Sequence, residues 1–456
     1  MEVNLNIDTN AEAVAEVDSD FRSKLRKKQI TITEQLKKGI WVYFILLIIE
    51  GALRKWIFPA LATPLLIVRD PVAVWLLITA WRNNRLPTNS YLTGIYFCTV
   101  VSIFAALLFG HGNILVALYG ARILLFHFPL IFLIGEVFDR EDVIKIGRAL
   151  VWISIPMALL IALQFYSPQT AFVNKGIGAE SEGGGFSGAL GYFRPPGTFS
   201  FTTGNSQFFA CVGVFVIYFF LNPIEIKRYL LIAGAISVLI AIPLSISRTL
   251  FFQICLSLVF ATVSIARKPK FLGRMVGAIF GLIILVAILS RTEFFEKAID
   301  ALTNRFQDAD ESEGGIQNTF ANRIFAGLLE PFASPSLPIL GYGIGMGTNA
   351  GAQLLVGHSD EFLISEGEWG RLVGEMGAFL GLGVIFIRLR ICIQFVIEGY
   401  KRLLKSDLLT WMLISVSFLS VAQGQWAQPT ALGFGIVMGG ITMASYNTAG
   451  TTPVNE

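Results

Sequence analysis

The sequence predicts an all-α integral membrane protein with about twelve transmembrane helices. Three observations carry that prediction. The 456 residues are 54% hydrophobic and only 15% charged, where an average soluble domain is roughly 25% charged. The mean hydropathy is +0.65. The apolar residues also fall in continuous stretches near the ~20 residues that a spanning helix needs. They do not fall in the alternating ten-residue segments of a membrane barrel.

Taken in order, residues 1–38 read as a polar, poorly ordered cytoplasmic tail. It is acidic at Glu12, Glu16, Asp18 and Asp20, then basic from Arg22 to Lys28. The first apolar run begins near Gly39, so no signal peptide is expected. Residues 39–446 form the polytopic domain. Its spans are expected near 39–57, 61–81, 90–110, 115–138, 147–167, 205–221, 229–247, 249–266, 273–290, 371–396, 408–423 and 429–446. The Pro59 region separates the first pair, and a tight turn at Ser245–Arg248 joins the seventh to the eighth. Residues 447–456 form a cytoplasmic C-terminal tail. Most of the 35 Lys and Arg lie in the N-terminal tail and in loops on its side, so the positive-inside rule places both termini in the cytoplasm. Two long outer segments result, about 168–204 and 291–370.

Several chemistries are excluded early. Cys98, Cys211, Cys255 and Cys392 sit in apolar runs without a CxxC pair, and the only histidines are His111, His127 and His358. Neither a disulfide framework nor a metal centre is expected. His111 and His127 read as satisfied membrane histidines. The run Gly341–Gly347 superficially resembles a dinucleotide loop. It lies in an outer segment with no strand before it, and reads as a flexible backbone close to another segment. Gly273, Gly277 and Gly281, and again Gly377 and Gly381, have the spacing of close helix packing. Trp426, on an outer turn, reads as an interfacial anchor or a sugar platform.

The informative residues are the cations that topology does not need: Arg54, Lys55, Arg69, Arg122, Arg194, Arg248 and Arg371. All converge on the outer side. A cation within a span costs about 2.5–3.5 kcal/mol on insertion scales, so each needs a reason. Local pairing is one reason, at Glu50–Arg54, Arg69–Asp70, Glu368–Arg371 and Arg371–Glu375. Arg122, Arg194 and Arg248 have no neighbouring acid in sequence, which favours a ligand. An oxygen-rich anion at headgroup depth suits the planar guanidinium fork, and a lipid-linked pyrophosphate lies at that depth.

Four segments in order carry a resemblance. They are Phe193-Arg-Pro-Pro-Gly-Thr-Phe199 with Asn205 after it, Ser245-Ile-Ser-Arg248, Leu340-Gly-Tyr-Gly-Ile-Gly345, and His358 followed by Glu368-Trp-Gly-Arg371 and Glu375-Met-Gly377. In these, and in its layout, the chain resembles the bacterial O-antigen ligase/polymerase superfamily, the Wzy- and WaaL-type membrane glycosyltransferases. The resemblance implies a GT-C-like bundle with a long late periplasmic loop, in the bacterial inner membrane. It implies a donor glycan on undecaprenyl pyrophosphate, an acceptor glycan whose hydroxyl attacks the anomeric carbon, and no cofactor or metal. Flippase and chain-length regulator proteins are implied as partners, nucleic acid is not. By this resemblance Arg194 and Arg248 bind the pyrophosphate, and His358 helps activate the acceptor.

The chemistry suits such residues. A departing pyrophosphate gains charge in the transition state, and preorganised arginines stabilise it there. Arg69, Arg122, Arg194, Arg248 and Arg371 are the candidates to bind it. The acceptor hydroxyl needs a base, for which His358, Glu368 and Glu375 are the first candidates, with Asp360 and Glu366 behind them. The expected function is a polysaccharide repeat-unit polymerase. A ligase moving finished glycan to a lipid or protein acceptor remains open, as does a transporter of an anionic solute.

Overall fold

The computed structural model describes residues 5–179, 186–266, 273, 292–313, 337–357, 363–365 and 367–446. It is almost entirely helical. Helix α1 spans Leu5–Ala52, so most of the expected irregular tail is helical and continuous with the first span. The reason is visible in residues 5–38. They contain no Gly or Pro and are rich in Ala, Glu, Lys and Leu, all favourable in helices except where β-branched residues intervene. The helix passes into a π-helical turn at Leu53–Ile57. Pro59 and Pro64 then open two short 3-10 turns, Pro59–Leu61 and Pro64–Ile67. The second expected span is therefore regular α-helix only from Asp70 onward, in α2 (Asp70–Arg82).

The next helices are α3 (Ser90–Leu108), capped by the Asn89 side chain, and α4 (Ile114–Arg122), capped by Asn113. A second π-helical turn, Ile123–His127, joins α4 to α5 (Phe128–Val137). Helix α6 (Arg140–Tyr166) starts from a capping box in which Asp139 and Asp142 satisfy each other's amides. After it comes a small antiparallel hairpin, β1 (Phe186–Ala189) and β2 (Tyr192–Arg194), with Phe186 opposite Arg194. Its turn places Leu190 (φ 52°) and Gly191 (φ 77°) in the left-handed region, as a two-residue hairpin turn requires. Helices α7 (Thr202–Leu221), α8 (Arg228–Leu244) and α9 (Arg248–Ala266) follow. The remaining helices are α10 (Glu293–Glu313), α11 (Asn349–Val356), α12 (Glu368–Leu404), α13 (Leu409–Ala422) and α14 (Pro429–Ser445).

Among the described residues seven helices are long and apolar enough to cross a membrane, and α8, α13 and α14 are shorter apolar helices. This is the fold of an all-α membrane protein. The expected span at 273–290 lies outside the described residues apart from Gly273, and with it the GxxxG spacing there. Helix α14 is the centre of the bundle. Its residues are buried from Pro429 onward with the exception of Met443, and it packs against α5, α13 and α7. Its glycines make room: a Cβ on Gly440 would lie 2.6 Å from Ile134 Cβ, and one on Gly435 2.4 Å from Trp426 Nε1.

Helix α12 corrects one expectation. Gly377 is not a helix-packing glycine but a break, with φ 76° and ψ 172°. The Gly341–Gly347 run crosses here, donating from Tyr342 N to Gly374 O and from Gly343 N to Glu375 O. A Cβ on Gly377 would lie 2.0 Å from Ile339 O. The run is close to other backbone, as expected, and it is pinned in place on several sides. Gly345 packs on Val116 and Gly120 of α4, and His111 Nε2 meets Ile344 O at 3.2 Å.

Candidate functional site

The site gathers at one end of the bundle, where α1 ends and α2, α7, α9, α12 and α14 begin. Both π-helical turns lie here. The wider helical turn is a device often found at functional positions, and here one carries Arg54 and Lys55 while the other follows Arg122 and ends at His127.

Two buried carboxylates organise the first cluster. Glu50 on α1 lies 3.6 Å from Arg54 and 3.4 Å from Arg69. Arg69 also donates to the Pro429 carbonyl and to the Tyr43 hydroxyl, reaching across the face of Gly433, where a Cβ would lie 2.0 Å from Arg69 Nη1. Asp70 receives Arg122 Nη1 at 2.8 and 2.9 Å. It also receives His127 Nε2 at 2.9 Å, which leaves Nδ1 to accept from the Tyr43 hydroxyl at 2.8 Å, because a carboxylate can only accept. The Arg122 guanidinium lies over the Tyr119 ring, 4.1 Å from its centroid. The expected pairing of Arg69 with Asp70 is thus exchanged. Adjacent residues on a helix do not face each other, so Arg69 turns to Glu50 and Asp70 to Arg122. Arg122 does have an acid, contributed by another helix. His127 is satisfied, as expected.

The second arrangement is a strap, Pro195–Ser200, that follows Arg194. Every part of it is held. Asn205 Nδ2 donates to Pro195 O at 3.1 Å. Gly197 (φ 61°) exchanges two hydrogen bonds with the Gln164 amide, at 2.8 and 3.2 Å. Lys55 Nζ donates to Gly197 O and Phe199 O, both at 2.8 Å. Thr198 Oγ1 donates to Ile48 O, and Arg54 Nη1 to Ser200 Oγ. Lys55 and Arg54 therefore serve the strap.

The hairpin brings Arg194 to the turn that precedes Arg248. A Cβ on Gly188 would lie 2.7 Å from Ile246 Cδ1 and 3.4 Å from Arg194 Cγ. Both arginines are partly exposed. Arg248 opens α9 immediately after Ser247, which accepts from Leu250 N and from Ser206 Oγ at 2.8 Å. Helix α10 covers the hairpin from outside: Arg305 Nη1 donates to Gly188 O at 3.0 Å, and Phe306 packs edge-on against Phe251 and Phe252.

The third cluster is centred on Glu368. Its two oxygens accept from Arg371 Nη2 and Nε at 3.0 Å each, Arg388 Nη1 at 2.5 Å and Trp426 N at 3.1 Å. Arg371 also donates to Glu375 at 2.6 Å, and Glu375 accepts from Gly347 N at 2.9 Å. Arg388 caps Val421 O and Gly424 O and stacks 3.7 Å from the Trp426 ring centroid. The expected Arg371 pairings are present. Arg388, inside the expected 371–396 span, is fully buried here. Trp426 is 1% exposed, so it is neither an interfacial anchor nor a sugar platform. With every Glu368 oxygen occupied, Glu368 and Glu375 hold Arg371 and the 341–347 run in place. His358, Asp360 and Glu366 lie outside the described residues. Among the described residues no group of three or more His, Cys, Asp or Glu is placed to hold a metal ion.

At the opposite end, Lys37 pairs with Asp142 at 2.5 Å and Asp139 at 3.3 Å, and Arg140 with Asp407 at 3.0 Å. Burial works against the charge on Asp139. The Asp142 amide and Lys37 outweigh it and hold the carboxyl below its usual range.

No protein-family model matches the chain, and none of the curated proteins matches it.

Proposed function

We propose that the protein is a membrane glycosyltransferase that takes its donor glycan from undecaprenyl pyrophosphate. In this reading it is a polysaccharide repeat-unit polymerase of twelve spans, GT-C-like, with both termini in the cytoplasm of a bacterial inner-membrane protein. The observation that carries it is the juxtaposition of Arg194 and Arg248. One ends a strand and the other opens a helix, and the hairpin sets them at one corner of the bundle, both partly exposed. Two preset guanidinium forks beside a helix N-terminus suit a diphosphate, whose charge grows as the glycosidic bond breaks. Arg69, Arg122 and Arg371 are buried against carboxylates, and in this reading they frame the site. The acceptor hydroxyl's base falls to His358 in this reading, because Glu368 and Glu375 are engaged. A solute path would need cations along the bundle, whereas the ion pairs gather at its two ends.

The test is a glycan profile of a strain lacking the protein, complemented by wild type or Arg248→Ala. Acceptors carrying a single repeat unit should persist while long chains vanish, with no rescue by Arg248→Ala. Full-length polymer left on the carrier lipid would make the protein a ligase. An unchanged profile overturns both readings.

A further inference from the structure

Resting on the donor-site reading above, we infer that Lys55 and Gln164 are positioning residues for Arg194, acting through the backbone of Gly197. A buried lysine normally needs a counter-charge. Lys55 is 2% exposed, and its ammonium donates instead to two strap carbonyls, Gly197 O and Phe199 O, at 2.8 Å each. Gln164, from α6, grips the same residue: its Oε1 accepts from Gly197 N at 2.8 Å and its Nε2 donates to Gly197 O at 3.2 Å. Glycine suits position 197. Its φ is 61°, and a Cβ would lie 2.8 Å from Met157 Sδ.

What lies between this grip and Arg194 is Pro195-Pro196. Two prolines fix their own φ angles and extend the residues before them, so the link is a stiff rod of roughly 10 Å. Asn205 holds Pro195 O near its far end. Movement of Gly197 is therefore passed to Arg194 and not absorbed. Arg248 stands on α9, outside this path, with its own cap at Ser247. The clamp acts on one arginine of the pair and not the other.

That asymmetry provides the test. Full-length protein in lipid nanodiscs is titrated with undecaprenyl pyrophosphate, for wild type, Lys55→Met, Gln164→Leu, Arg194→Ala, Arg248→Ala and the double variants. Each single variant should weaken binding, Arg194→Ala by about tenfold or more, the loss of one charge-assisted contact. Lys55→Met and Gln164→Leu should add less than about twofold on top of Arg194→Ala, yet multiply fully with Arg248→Ala, the pattern of coupled and independent sites. Gln164→Leu sits on a different helix and gives a second cycle should Lys55→Met fail to fold. Losses that multiply equally with both arginines, or that follow the melting temperature alone, overturn the clamp and leave the donor site standing. A wild-type protein that does not bind the probe removes the donor reading, and the clamp with it.

Discussion

Glu50 and Glu368 are both buried carboxylates facing two arginines, yet they are satisfied very differently. Glu368 accepts four hydrogen bonds, two of them a bidentate fork from Arg371. Glu50 meets Arg54 and Arg69 only at 3.6 and 3.4 Å, and neither of its oxygens accepts a hydrogen bond of good geometry. The arginines differ to match. Arg54 and Arg69 spend their N–H groups on carbonyl and hydroxyl oxygens of other segments. Arg371 directs Nε, Nη1 and Nη2 at Glu368 and Glu375. One cluster is a closed weld between α12 and the 420–426 turn. In the other, the carboxylate supplies charge while the arginines do the tying. A buried ion pair repays its desolvation only when its remaining hydrogen bonds are made, so the first should matter more for stability.

The largest effect is expected at the weld. Glu368→Gln leaves Arg371 and Arg388 buried against a neutral amide, and should lower unfolding stability by about 3–5 kcal/mol, read by thermal unfolding in detergent. Glu50→Gln should cost less, about 1–2 kcal/mol, because Arg54 and Arg69 keep their carbonyl and hydroxyl partners. Equal losses at the two positions would break the comparison. The smallest effect is expected at the opposite end, where the Lys37–Asp139–Asp142 group is partly solvated. Lys37→Met should cost no more than about 1 kcal/mol there. Its pH dependence has a definite sign. The Asp139 carboxyl is held below its usual value, so its contribution is fully present above the ordinary carboxylate range near pH 4 and is lost as the pH falls through the lower folded value. Wild type should therefore lose part of its advantage over Lys37→Met on acidification below about pH 4. An advantage that grows on acidification would refute the assignment.

The clusters also differ in how far they could be read in advance. Arg371 pairs with residues three and four positions away, so its partners follow from helix periodicity. Arg122 finds Asp70, which lies 52 positions earlier in the chain, and nothing local to either residue announces it. Arg69 illustrates the opposite error. Its neighbour in sequence is an acid, but helix geometry turns the two side chains apart. Arg388 stands 20 positions from Glu368 on the same helix, too far for a straight helix to join them; the break at Gly377 turns the first residues of α12 back beside the helix that follows and brings the pair together. A glycine signal existed for Arg69, since only a residue without a Cβ lets its guanidinium pass at Gly433. Without the packing of α14 that glycine looks like any other in a membrane helix.

The sequence by itself determined the class: a continuous apolar chain can bury its backbone polar groups in lipid only by coiling into helices. It also determined which residues needed explanation, because a charge in a span is costly wherever it points. Only the tertiary structure decided which acid meets which arginine, that Gly377 breaks a helix, and that the residues around 195–200 form a clamped strap beside Arg194 and Arg248. Those outcomes depend on contacts between segments far apart in the chain. Such contacts are set by shape and close approach, which a one-dimensional pattern of polarity does not record.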